Sequence, residues 1–212
     1  GDTNETILKA VKNQNADLVI MGRKQSLKGS DGLPKKIVNR SECSVLLIPE
    51  APYRKITNIL VPVDFSQFSA VAIKLSLTIL GQSGKVNCQH VYFVPSGYHK
   101  TGKDYNEFAK VMEINAIKDT KEFIKKYKLP KERLEFTYTL DENRDPADKI
   151  IGYGKRINTE LILMGSKGRT EAASILLGSV AENVVNCNDF FPLLVLKKKN
   201  ENLGFFDVIL RM

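Results

Sequence analysis

The sequence predicts an α/β protein: an open parallel sheet with helices on both faces. Strand-like runs rich in Val, Ile and Leu alternate with helix-like runs along the 212 residues. Runs such as "NILVPV" and "ELILM" have no polar face, as expected of strands covered from both sides. The chain also repeats itself. Shifted by 143 positions, "GDTNETILKAVKNQNADLVIMG" falls without a gap on "RDPADKIIGYGKRINTELILMG". Asp2/Asp145, Ile7/Ile150, Lys12/Lys155, Asn15/Asn158, Leu18/Leu161, Met21/Met164 and Gly22/Gly165 are identical. Chance would supply roughly one or two such identities over this length. Past the following loops, "KIVNRSECSVLLIP" echoes "NVVNCNDFFPLLVL", so two copies of one module are expected, the second complete.

The complete copy opens with the strand "NILVPV", in which Pro62 has no N–H for an inner ladder and should mark the strand's end. A helix over about 66–80, the turn "GQSG" and the strand "KVNCQHVYFV" follow. Tyr105, Phe108, Met112, Ala116, Phe123 and Tyr127 recur at helical spacing and predict a long helix over about 104–127. Then come a strand near 134–140, a helix over about 146–157, the strand "ELILM", a glycine-containing loop, a helix over about 179–187 and the strand "PLLVLK". Residues 1–49 supply only the back part of this pattern, with residues 50–55 as linker, 56–197 as the complete module and 198–212 as an apolar tail. So few strands cannot cover both faces of a sheet. The first copy is expected to continue N-terminally by roughly 90 residues in a longer protein, and "SVLLIP" is expected to pair with "PLLVLK". The tail "ENLGFFDVILRM" is expected to pack as an added strand or anchor.

Composition narrows the function classes. No apolar run approaches the roughly 20 residues that span a bilayer, and "GDTNETILKA" does not read as a secretory signal, so a cytoplasmic protein without a membrane partner is expected. The net charge of +8 comes from lysines dispersed among acids, as in "KDTKEFIKKYKLPKERLE", which reads as a solvated surface. It can concentrate anionic ligands without recognising a specific nucleic acid. Cys43, Cys88 and Cys187 have no metal-ligand spacing and are expected to be small buried hydrophobes.

Open sheets of this kind bind ligands beyond the carboxyl ends of their strands, where the strand order reverses. Two strands end in suitable residues. Asp64 follows "VPV", where a ribose diol could hydrogen-bond to it, although an acid there also reads as a helix cap. The other strand opens "MGSKGRTEAASILLGS". In that loop Gly165 and Gly168 let backbone N–H groups approach an anion, and Gly178 leads into a helix whose first N–H groups favour negative charge. Ser179 can cap that helix or donate to a phosphate, and Lys167 and Arg169 add positive charge. The plain alternative is tight turns and an ordinary cap. His90, inside an apolar strand, reads as structural, and His99 as a loop residue.

"VPVDFS", the His90-Val91 pair, "ELILMGSKG" and the spacing Gly165-x2-Gly168-x9-Gly178-Ser179 resemble the universal stress protein family in its nucleotide-binding branch. That resemblance implies five strands in the order 3-2-1-4-5. It also implies a nucleoside beside Asp64 and its neighbours Pro62 and Val63, and phosphates at the glycine loop with Ser179 and Val180. ATP, ADP or AMP is the implied ligand, with magnesium as an optional companion. Association through the last strands and an unnamed protein partner are implied as well. Catalysis is not evident, beyond at most slow ATP hydrolysis, because no nucleophile and base share a motif. The competing reading is an interaction and dimerisation module of the same fold that binds no nucleotide.

Two loops are excluded. "GYHKTGKD" is one residue from a phosphate-binding P-loop, but Asp104 stands where a magnesium-binding hydroxyl is needed. In "RKQSLKGSDGLP" Gln25 replaces the second glycine, Pro34 lacks an N–H, and Gly29 and Gly32 read as turn residues, so no nucleotide is expected in the first copy.

Overall fold

The computed structural model of the protein describes residues 2–23, 32–50, 55–168 and 177–197. Among these, the strands are β1 (Leu18–Arg23), β2 (Ser44–Pro49), β3 (Ile59–Pro62), β4 (Val86–Tyr92), β5 (Leu134–Leu140), β6 (Leu161–Gly165) and β7 (Leu193–Leu196). The helices are α1 (Thr3–Asn13), α2 (Gly32–Arg40), α3 (Gln67–Leu80), α4 (Tyr105–Tyr127), α5 (Pro146–Arg156) and α6 (Ser179–Cys187). All strands join one sheet in the order β1-β2-β7-β6-β3-β4-β5. The run β5-β4-β3-β6-β7 is the expected order 3-2-1-4-5, and every pairing within it is parallel.

Strand residues alternate between two cores. Ile59, Val61, Leu161 and Leu163 face α3 and Phe123 of α4, whereas Leu60, Ile162 and Met164 face α5, α6 and α2. Burial on both faces is why these strands carry no polar stripe. The helix starts follow local chemistry: Ser66 caps α3, and Asp104 with Glu107 forms a capping box on α4. Among the described residues no helix is long and apolar enough to cross a membrane.

The paired positions of the repeat share geometry. Asp2 and Asp145 are the N-caps of α1 and α5, and Asn15 and Asn158 both take left-handed backbone, at φ 49° and 53°. The expected pairing of the last strands occurs within one chain: β2 runs antiparallel to β7, with Val45 opposite Val195. The 1–49 segment therefore buries its strands by extending the larger sheet, leaving β1 at the edge with Ile20 61% exposed. Two basic residues tie the parts together. Arg23 donates to the carbonyls of Val185, Asn186 and Asn188 at the end of α6 and pairs with Asp189 at 2.8 Å. Lys197 Nζ donates to the carbonyls of Asn39 (3.2 Å) and Ser41 (2.7 Å) at the end of α2.

Some expectations change. Cys43 and Cys88 are buried, but Cys187 is exposed at the last turn of α6. Gly32 begins α2 rather than forming a turn, with Pro34 in that helix's first turn, where a missing N–H is harmless. On α4 the buried set includes Ala109 and Thr120 as well as Ala116 and Phe123. The tail at 198–212 and Gly29 lie outside the described residues.

Candidate functional site

Beyond the carboxyl ends of β3 and β6, the adjacent strands at which the order reverses, lies a cavity of about 270 Å³. Pro62, Val63, Asp64, Gly165, Lys167, Gly168, Gly178, Ser179 and Val180 all line it. The tenth expected residue, Arg169, lies outside the described residues.

The Asp64 side is a rigid turn. β3 ends at Pro62 as expected, and Asp64 Oδ1 accepts from the Ser66 N–H (3.0 Å) and the Ser69 hydroxyl (2.6 Å). Ser69 Oγ in turn accepts from the Asp64 N–H at 3.1 Å. Ser66, not Asp64, is the N-cap of α3, so the acid braces the turn from two residues earlier. Phe65 sits at φ 66°, costly for a bulky residue, and is held by His90 (ring centroids 4.4 Å) and Phe123 (5.7 Å). His90 Nδ1 lies 2.8 Å from the Val63 carbonyl, which can only accept, so this nitrogen carries the proton.

The glycines have separate duties. A Cβ on Gly165 would lie 2.5 Å from Phe68 Cβ, so β6 and α3 approach too closely there for any side chain. A Cβ on Gly168 would lie 2.8 Å from Asp64 Oδ2, so this glycine lets the loop meet the acid. At Gly178 the nearest atom would be Ser166 O at 3.4 Å, an ordinary contact. The Gly178 N–H donates to that oxygen at 2.8 Å and closes the loop. Gly22, the repeat partner of Gly165, would meet nothing within 4 Å.

Ser179 is not the helix cap. Gly178 occupies the N-cap position of α6 with no side-chain hydrogen bond, and Ser179 begins the helix. Ser179, Val180 and Ala181, the first residues of α6, line the cavity, and Gly178, having no side chain, cannot cap their N–H groups. Lys167 adds charge at the mouth. Burial first, and the charge of Lys167 in smaller part, lower the pKa of neighbouring Lys197 to about 8.

The structure adds lining residues that the sequence did not single out: Ser69, Gln89, Val91, Pro146, Ile150, Met164, Ser166 and Ala181. His90, read as structural, also lines the cavity. The Asp-x4-Ser spacing of Asp64 and Ser69 across a helix start was a usable signal for Ser69; Gln89 had only its polarity within an apolar strand. The near-P-loop at 97–104 forms a 3-10 turn over Tyr98–Thr101, and Asp104 caps α4, so its residues already serve as turn and cap.

Comparison with known proteins agrees with this architecture. The profile described as the Universal stress protein family matches residues 55–196. Universal stress protein MJ0577 of Methanocaldococcus jannaschii is 26% identical over 162 residues, covering 70% of this chain and 97% of that protein. The Universal stress protein E homolog of Haemophilus influenzae is 24% identical over 198 residues, covering 87% of this chain and 64% of the relative. A solved structure of a putative universal stress protein from Pseudomonas aeruginosa superposes with a TM-score of 0.66 at 18% identity, covering 100% of this chain and 71% of that one. With the profile spanning well over half of the sequence and the sheet order in agreement, the chain belongs to the universal stress protein family.

Proposed function

We propose that this protein binds ATP or a related adenine nucleotide in the cavity and acts as a stress-response regulator, with little or no catalysis. One observation carries the reading: an acid turn, a glycine loop and a helix N-terminus that opens on a glycine converge on a single cavity at the strand-order reversal. In this reading Val91, Ile150 and Met164 form an apolar wall for the base. Asp64 receives the ribose diol, and Gly168, Gly178, Ser179 and Lys167 receive the phosphates. Residues 56–197 would be the nucleotide-binding module and 1–49 a partial copy without nucleotide. Packing alone accounts for Gly165 and for Gly168 beside Asp64. It does not call for a helix that opens on a glycine beside the cavity, and that favours a ligand over a purely interacting module.

The test is to heat-denature freshly purified protein, separate the released small molecules by ion-pair chromatography at 260 nm, and soak ATP into protein that releases none. An adenine nucleotide in either experiment, seated against Gly168 and Gly178, is expected. Absence of both nucleotide release and ATP binding would overturn the reading.

A further inference from the structure

The two copies differ in the turn before their last strand, and the difference leaves a groove. In the second copy the turn carries Phe190 and Phe191. Phe191 packs on the core beside Gly154, where an added Cβ would lie 3.1 Å from its ring, and Lys155 Nζ lies 3.6 Å from the centre of the Phe190 ring. In the first copy Glu42 and Cys43 stand in that turn, and the repeat partners of Gly154 and Lys155 are Val11 and Lys12. The lysine is kept and the ring is not. A cavity of about 360 Å³ remains there, between α1 and the end of α2. Half-buried Leu8 and buried Val11 give it an apolar part, and Lys9, Lys12 and Arg40 outnumber Glu5 and Glu42 among its charges. None of the described residues that line it is aromatic.

The chain carries aromatic residues within reach of this groove. β7 ends beside the same turn, where the Lys197 N–H donates to Ser44 Oγ at 3.1 Å and its Nζ to the carbonyls of Asn39 and Ser41. Glu42, on the groove, is two residues from Ser44 and so within about 7 Å of it. Phe205 and Phe206 follow Lys197 by eight and nine residues, a reach of up to about 26–30 Å. The run "GFFD" sets an acid directly after the two rings, as suits a groove whose cations outnumber its carboxylates. Two phenyl rings left in water would forgo a large apolar gain.

We propose that Phe205 and Phe206 dock in this groove of their own chain, one ring beneath Lys12 as Phe190 lies beneath Lys155, with Asp207 beside Lys9, Lys12 and Arg40. The tail so placed clamps the 1–49 segment to the larger module, independently of any nucleotide.

The experiment is photocross-linking of the full chain in dilute solution with 4-benzoylphenylalanine in place of Phe206, followed by proteolysis and mass spectrometry. The expected product is a monomer linked to residues 3–13 or 40–43, and the link is expected to disappear when Leu8→Glu puts a carboxylate in the apolar part of the groove. Links to other segments alone, links between two chains, no link at all, or a link that survives Leu8→Glu would each overturn the docking. Should either altered protein not fold, hydrogen exchange decides. Phe205→Ala combined with Phe206→Ala is expected to speed exchange at the amides of residues 8–12 by at least about tenfold relative to wild type. Unchanged exchange there would overturn the docking as well.

Discussion

Gly165→Ala separates packing from binding at the glycine loop. The new Cβ would lie 2.5 Å from Phe68 Cβ, whereas carbon atoms in contact prefer about 3.5–4.0 Å, so one element must move by at least about 1 Å. Neither moves easily. β6 is held between β3 and β7, and α3 is anchored by Ala72 and Ile73, both with no exposed surface. Overpacking of this kind costs about 1–3 kcal/mol, which for a chain of this size lowers the thermal midpoint by about 3–10 °C. Thermal unfolding followed by circular dichroism reads this directly. Phe68→Ala should not rescue the variant, because the offending atom is the β-carbon that alanine keeps. Phe68→Gly should recover part of the loss. At the repeat partner, Gly22→Ala meets nothing within 4 Å and should stay within about 0.5 kcal/mol of wild type. A Gly165→Ala protein as stable as wild type would refute the close-approach argument.

Asp64→Ala strips an acceptor from Ser66 and Ser69 and should destabilise by about 1–2 kcal/mol in urea titrations, whereas Asp64→Asn keeps an acceptor oxygen and should lose less than half as much. Arg23→Ala removes three carbonyl contacts and the Asp189 pair that join β1 to α6, and should lower the urea midpoint by the equivalent of about 2–4 kcal/mol; an unchanged midpoint would show the tie to be idle. Lys197 gives a pH signature. Its folded pKa of about 8 lies below the ordinary 10.5, so between these values the unfolded chain holds the proton that the folded chain has shed. Stability from this group therefore rises with pH across that window, and below pH 8 the full burial penalty applies. Relative to Lys197→Met, the wild type should gain roughly 1–3 kcal/mol between pH 7.5 and 10.5, allowing for partial screening by water. A pH-independent difference would contradict the burial of the charge.

Much of this was legible because local chemistry and tertiary demand coincide. Pro62 ends its strand, and doubly buried strands betray themselves by lacking a polar face. The repeat placed a second strand like β7 at β2, and the two do pair; their antiparallel sense depends on how the 1–49 segment docks and has no local signal. At the site, strand ends, glycine spacing and the family resemblance together pointed to nine residues that line one cavity. The separate duties of Gly165 and Gly168 were not legible, because each is set by an atom far along the chain, Phe68 Cβ and Asp64 Oδ2. Phe65 had no local signal for its positive φ, which accompanies packing on His90 and Phe123.

Calorimetric titration of ATP into wild type and Gly178→Val tests the central claim most directly. Gly178 has φ −67° and its nearest neighbour to an added Cβ is 3.4 Å away, so a β-carbon is tolerated, and exchanging glycine for valine at the helix N-cap should cost about 1 kcal/mol. What the valine methyls obstruct is the approach of an anion to the first turn of α6. The account predicts one ATP site per wild-type chain and binding at least about tenfold weaker in a Gly178→Val protein that remains folded. Equal affinities in the two proteins, or no ATP binding by the wild type, would contradict it.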